Sequence, residues 1–108
     1  MTIPFLIPDL LIVCGKIDKK FLDFPPALIV EILSPSTALK DRNTKYQLYE
    51  QEKVKYYIIV DTDKECIEIY CLDNGKYSQQ PFDQQFTFEL QENCSISVPL
   101  INIFARSL

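Results

Sequence analysis

Two short apolar segments flank one helical segment, and this order limits the folds open to the chain. Residues 27–33 (ALIVEIL) and 56–61 (YYIIVD) are short runs of apolar, largely β-branched or aromatic residues, typical of buried strands. Residues 37–52 between them have the length and composition of a helix. A strand–helix–strand unit of this kind indicates two parallel strands joined by a right-handed crossover. We therefore expect an α/β domain with a mixed β-sheet.

Further strands extend this unit on both sides. Residues 9–14 (DLLIVC) predict a buried strand, and residues 66–72 (CIEIYCL) alternate as a half-exposed strand does. The dipeptide Asn74-Gly75 is a strong signal for a tight hairpin turn. Beyond residue 79 the pattern weakens, although three phenylalanines are expected to pack over the core: Phe82, Phe86 and Phe88.

The predicted sheet has helical cover on one face only, because two strands precede its one clear helix. A bare apolar sheet face exceeds what soluble monomers normally expose. A twofold homodimer that buries the two bare faces against each other is the common remedy. We therefore expect the chain to self-associate.

Composition narrows the chemistry. The 108 residues correspond to one domain, 1–108, and the absence of histidine excludes histidine-based triads, dyads and zinc sites. The net charge of −4 argues against general nucleic-acid binding. Residues 36–56, however, carry five positive and three negative charges, or +2, so a basic segment lies within an acidic chain. This segment either faces an anionic partner or is a solvated helix.

The four cysteines (Cys14, Cys66, Cys71 and Cys94) contain no CxxC pair and do not match zinc-site spacing. The simplest interpretation is four free thiols in a reducing, cytoplasmic setting. No apolar run approaches the ~18 residues of a membrane span, so no membrane association is expected.

Two carboxylates occupy costly positions. Glu31 interrupts an otherwise apolar strand, where an isolated carboxylate must be paired, protonated or bound to metal. Asp9 opens the first strand. If residues 13 and 27 are opposite each other in an antiparallel pair, Asp9 falls opposite Glu31, with Cβ atoms ~5 Å apart. The two acids could then share one ion, or Glu31 could form a salt bridge with a basic residue of the helix.

A lysine completes the candidate site. At ~100° per residue, Lys45 lies on the flank of the helix face formed by Leu39, Tyr46 and Tyr49, and so can point towards the sheet. Two carboxylates and a lysine suit metal-dependent phosphodiester hydrolysis, with Mg²⁺ or Mn²⁺ bound by Asp9 and Glu31. Lys45 would stabilise charge on the phosphate or orient the attacking water.

One set of motifs extends along nearly the whole chain: 8–11 (PDLL), 28–37 (LIVEILSPST), Asp41-Arg42, Lys45, Tyr49, 57–61 (YIIVD) and the closing segment 98–104 (VPLINIF). In these motifs the chain resembles the Uma-two family of the PD-(D/E)XK endonuclease-like superfamily. This resemblance implies a restriction-endonuclease-like fold and cleavage of DNA, with Asp9 and Glu31 as metal ligands.

The resemblance also has departures. The superfamily's usual lysine lies two residues after the glutamate, where this chain has Leu33, and in the Uma-two pattern Lys45 takes its place. Lys53 replaces the usual glycine after the helix. Family members carry an N-terminal helix and hairpin before the first strand, so we expect this domain to be N-terminally truncated.

Two functions remain open on these residues. The first is a metal-dependent endonuclease acting on DNA. The second is a non-catalytic, dimeric interaction module on the same fold, in which Glu31 pairs with Lys45. A third, a redox protein using Cys66 and Cys71, has little support.

Overall fold

The computed structural model describes residues 9–14, 26–33, 38–100 and 103–104, with the backbone alone for 38–42. Its elements follow in chain order: β1 (Leu10–Ile12), β2 (Leu28–Leu33), α1 (Ala38–Gln51), β3 (Tyr56–Asp61), β4 (Cys66–Asp73), β5 (Lys76–Gln80), β6 (Gln85–Gln91) and β7 (Cys94–Pro99). The strands and the helix predicted up to residue 72 are all present, with ends that agree within two residues.

The first five strands form one sheet in the order β1-β2-β3-β4-β5. β2 and β3 are parallel, from Leu28 opposite Tyr56 to Leu33 opposite Asp61, and α1 lies between them in the chain. The other neighbours are antiparallel. The sheet is therefore mixed, as the sequence predicted, and is compatible with an α/β restriction-endonuclease-like fold.

Local backbone conformation accounts for two boundaries. Asn74 and Gly75 have φ of 52° and 81°, as a two-residue hairpin turn between β4 and β5 requires. Lys53, just after α1, has φ of 64°, the left-handed conformation in which helices commonly end on glycine. The 14-residue helix is short, and no helix in the described part of the chain could span a membrane.

The face of the sheet opposite α1 is covered, so the expectation of a bare face is wrong. β6 and β7 form an antiparallel hairpin whose Phe88 and Leu90 are buried among Ile58, Ile67 and Ile69 of the sheet. β6 alternates in period two, with Thr87 and Glu89 exposed between the buried residues. The predicted homodimer was based mainly on that bare face, so it stays a prediction without this support.

The three phenylalanines expected over the core differ in outcome. Phe86 packs against the same cluster as Phe88, which confirms both, but Phe82 is exposed. Phe82 lies in the connection before β6, outside the alternation that directs Phe86 and Phe88 inwards.

β1 was predicted to be buried and is instead an exposed edge strand. Leu10 is 54% exposed and Leu11 is also exposed. The reason is topological, since β1 is only three residues long and pairs with β2 alone.

The expectation of four free thiols is wrong. Cys14, two residues after β1, forms a disulfide with Cys94, the first residue of β7, across a Cα–Cα distance of 6.4 Å. Cys66 and Cys71 are free thiols. The hairpin brings the two bonded cysteines together from 80 residues apart in the chain. The cytoplasmic location stays a prediction without the support of four reduced cysteines.

Candidate active site

Glu31 lies on the face of the sheet that α1 covers. Its strand neighbours at positions 29 and 33 belong to the apolar cluster beneath the helix, and strand alternation places Glu31 on the same side. Glu31 is 2% exposed, and among the described residues it is the one charged residue that is buried. A carboxylate in this position needs hydrogen-bond donors for both oxygens.

Two side chains of α1 supply those donors. The Tyr49 hydroxyl donates to Oε1 of Glu31 at 2.8 Å, and the Lys45 ammonium donates to Oε2 at 2.8 Å. Lys45 and Tyr49 are four residues apart, so they project from the same side of the helix. The helical geometry therefore predicted correctly that Lys45 points towards the sheet.

Asp9 immediately precedes β1, and the observed pairing of β1 with β2 has the register assumed above. Leu10 pairs with Val30 and Ile12 with Leu28, so one further step places Asp9 opposite Glu31. The Asp9 carboxylate accepts a hydrogen bond from the Ile32 backbone N–H through Oδ2, at 2.7 Å. This bond holds Asp9 against the end of β2, because its donor, Ile32, directly follows Glu31 in the chain.

The electrostatics of Tyr49 connect these groups. Burial raises the pKa of Tyr49 most, the hydrogen bond to Glu31 raises it further, and the negative charges of Glu31 and Asp9 add to the rise. Tyr49 therefore stays protonated and acts as a neutral donor.

The site is closed on the Tyr49 side and more open on the Lys45 side. Tyr49 is fully buried, whereas the side chain of Lys45 is 19% exposed. A ligand would therefore approach Glu31 from the side of Oε2 and Lys45. Leu33, at the position of the superfamily's usual lysine, packs instead against the cluster under the helix.

A second carboxylate lies on the same face but not in the same site. Glu31 is opposite Ile59, and Ile59 is opposite Glu68, so one strand separates the two acids, about 10 Å by strand spacing. The Tyr70 hydroxyl donates to Glu68 at 2.7 Å. Glu68 is half-buried, and it is a matched reference for Glu31.

Few side chains at the site could bind a metal ion. The described residues contain no group of three or more His, Cys, Asp or Glu side chains placed to hold a metal ion. Asp9 and Glu31 provide two carboxylates from adjacent strands. Magnesium is commonly bound by one or two carboxylates together with waters and substrate oxygens, so this pair fits such an ion.

Sequence reasoning missed the role of Tyr49. It placed the residue on the sheet-facing side of the helix but assigned it no partner. The available signal was the pairing of a buried carboxylate with two donors spaced four residues apart, of which only Lys45 was used.

A mixed sheet with a buried carboxylate beneath one helix is compatible with the restriction-endonuclease-like class. The family model Uma2, described as "Putative restriction endonuclease", matches residues 3–99. The chain therefore belongs to the Uma2 family, which confirms the resemblance.

A curated relative gives no further functional information. An "Uncharacterized protein slr1290" of Synechocystis sp. is 36% identical over 66 residues, which cover 58% of this chain and 35% of the relative. The match thus spans about a third of the relative's length.

Proposed function

We propose that this domain is a divalent-metal-dependent nuclease that hydrolyses phosphodiester bonds in DNA. The observation that carries the proposal is the buried carboxylate of Glu31. The pairing of β1 with β2 places Asp9 opposite it, and Lys45 forms an ion pair with it at its more open side. Membership in a family described as "Putative restriction endonuclease" supports DNA as the substrate.

Asp9 and Glu31 would hold Mg²⁺ or Mn²⁺. Directly opposed residues of an antiparallel pair have Cβ atoms ~5 Å apart, which lets two carboxylates reach one ion. The bound ion would supply a water of lowered pKa and polarise the scissile phosphate. Glu31 contributes Oε2, because Tyr49 occupies Oε1 from the closed side.

Lys45 would act on the phosphate. Its ammonium has three donors and lies beside Oε2 of Glu31, so it can donate to a phosphate oxygen next to an ion bound there. Partial exposure lets the substrate reach it. A cation held in a largely buried setting stabilises the negative charge that develops in the transition state.

The second candidate is a non-catalytic interaction module. The 2.8 Å ion pair between Lys45 and Glu31 favours it, because that pair alone satisfies Oε2 without a metal. A homodimer through the exposed apolar edge at Leu10, Leu11 and Ile32 belongs to this second proposal. Sedimentation of a monodisperse monomer at micromolar concentration would contradict the dimer.

A cleavage assay on carboxylate variants tests the first proposal. With Mg²⁺ or Mn²⁺ and duplex DNA, Glu31→Gln and Asp9→Asn should each reduce cleavage to background while far-UV circular dichroism stays unchanged. Glu68→Gln is the matched control and should retain activity, because Glu68 lies about 10 Å from Glu31. Equal cleavage by Glu31→Gln and the unaltered protein would refute the proposal.

A further inference from the structure

We propose that Tyr49 is a positioning residue, whose buried hydroxyl fixes the Glu31 carboxylate so that Oε2 is presented for metal binding. This inference rests on the proposed function. It concerns how the chain orients a metal-binding carboxylate and assigns Tyr49 no contact with metal or DNA.

The hydrogen bond determines which oxygen of Glu31 is available. A glutamate side chain has three rotatable bonds, and its two oxygens exchange when the last bond rotates. The Tyr49 hydroxyl holds Oε1 at 2.8 Å on the closed side of the site. Oε2 then faces the side where Lys45 lies.

Tyr49 is itself held rigidly. Its ring packs edge-to-face on the ring of Tyr57, with centroids 5.2 Å apart, and the residue is fully buried. The backbone carbonyl of Tyr49 accepts a hydrogen bond from the Val54 N–H at 3.1 Å, which anchors this end of α1. A hydroxyl fixed by ring packing and backbone can orient a flexible carboxylate.

The two donors to Glu31 differ in a way that separates their roles. Lys45 is partly exposed and has a long flexible side chain, so its ammonium can move aside when a cation reaches Oε2. Tyr49 is enclosed by the cluster beneath α1 and has no such freedom. Lys45 is therefore the exchangeable partner and Tyr49 the fixed one.

Tyr77 offers a matched control. It lies in the same apolar cluster, is buried, and donates its hydroxyl to the Val54 carbonyl at 2.6 Å. Removing either hydroxyl takes one hydrogen bond from the same core, but only Tyr49 contacts Glu31.

The test is titration with Mn²⁺ by calorimetry on four proteins: the unaltered chain, Tyr49→Phe, Tyr77→Phe and Glu31→Gln. Removing an outer partner of a metal ligand typically costs 10–100-fold in metal affinity. We expect a loss of that size in Tyr49→Phe, a change of less than about twofold in Tyr77→Phe, and no binding in Glu31→Gln. If the Tyr49 hydroxyl had only a structural role, both phenylalanine variants would lose stability and neither would lose metal affinity.

The outcomes separate the two claims. If the unaltered chain binds Mn²⁺ through Glu31 and Tyr49→Phe binds equally well, the positioning role is overturned and the metal site stands. If the unaltered chain binds no Mn²⁺, the proposed function falls and this inference falls with it.

A measurement on the unaltered protein covers the case in which Tyr49→Phe does not fold. The Tyr49 hydroxyl proton should give a slowly exchanging nuclear magnetic resonance signal, and this signal should persist when Mg²⁺ is added. Its loss on Mg²⁺ binding would show that the metal displaces the hydrogen bond, which contradicts the inference.

Discussion

The two faces of the sheet are built from different chemistry. Beneath α1, the cluster is rich in tyrosines, and two of their hydroxyls have specific acceptors: Tyr49 donates to Glu31 and Tyr77 to the Val54 carbonyl. Beneath the β6–β7 hairpin, the core is aliphatic and phenylalanine-rich, and a disulfide tethers it. Hydrogen bonds require defined partners, whereas apolar burial is non-directional.

This difference indicates a division of roles. The tyrosine face fixes the geometry of a buried carboxylate, so small changes there should alter activity more than stability. The hairpin face buries apolar surface and closes a long loop, so changes there should alter stability more than activity. If this division holds, substitutions on the two faces should have separable effects on stability and activity.

The largest stability loss is expected on the hairpin face. Phe88→Ala removes a side chain that is 1% exposed, at a cost of about 3–5 kcal/mol in the free energy of unfolding. Urea denaturation followed by circular dichroism measures this loss. Cleavage under conditions where the variant is folded should change little, and a loss below about 1 kcal/mol would show that the hairpin is not a stabilising cover.

Opening the disulfide should have the next largest effect. Cys94→Ser releases a bond between residues 80 apart in the chain, at a cost of about 2–4 kcal/mol. Thermal unfolding with and without a dithiol reductant gives the same comparison on the unaltered protein. Cys66→Ser is the control, because Cys66 is an exposed free thiol, and equal melting of all these samples would contradict the tether.

On the tyrosine face, the expected effect depends on pH. Folding raises the pKa of both Tyr49 and Tyr77, chiefly by burial, so the folded chain holds these protons more tightly than the unfolded chain. Their contribution to stability is complete well below pH ~10 and is lost as pH rises above it, with a slope that approaches ~1.4 kcal/mol per pH unit for each tyrosine.

Urea denaturation between pH 10 and 11 measures this slope. Tyr49→Phe should reduce the slope by the contribution of one tyrosine, because every other titratable group is the same in the two proteins. An unchanged slope would show that Tyr49 does not hold its proton more tightly in the folded chain.

Sequence reasoning was most successful where local patterns suffice. The runs at 27–33 and 56–61 have strand length and composition, and the helix between them fixes which residues face the sheet. The orientation of Lys45 followed from the helical periodicity, whereas the β1–β2 register was an assumption that agrees with the observed pairing.

Contacts between distant segments were harder to predict. The pairing of Cys14 with Cys94 depends on a hairpin that folds back across the sheet, and no spacing rule encodes it. β6 was missed because its buried residues alternate with polar ones inside a weak, glutamine-rich pattern. The hydrogen bond of Tyr49 was missed for a similar reason, since its acceptor, Glu31, lies 18 residues away on another element.

The rate of Mg²⁺-dependent DNA cleavage by Lys45→Met separates a lysine that acts on the phosphate from one that only pairs with Glu31. If Lys45 stabilises charge on the phosphate, the rate should fall at least ~100-fold. Metal affinity should be retained or slightly increased, because a competing cation has been removed from Oε2 of Glu31. Cleavage by Lys45→Met at the rate of the unaltered protein would show that Lys45 does not act on the phosphate.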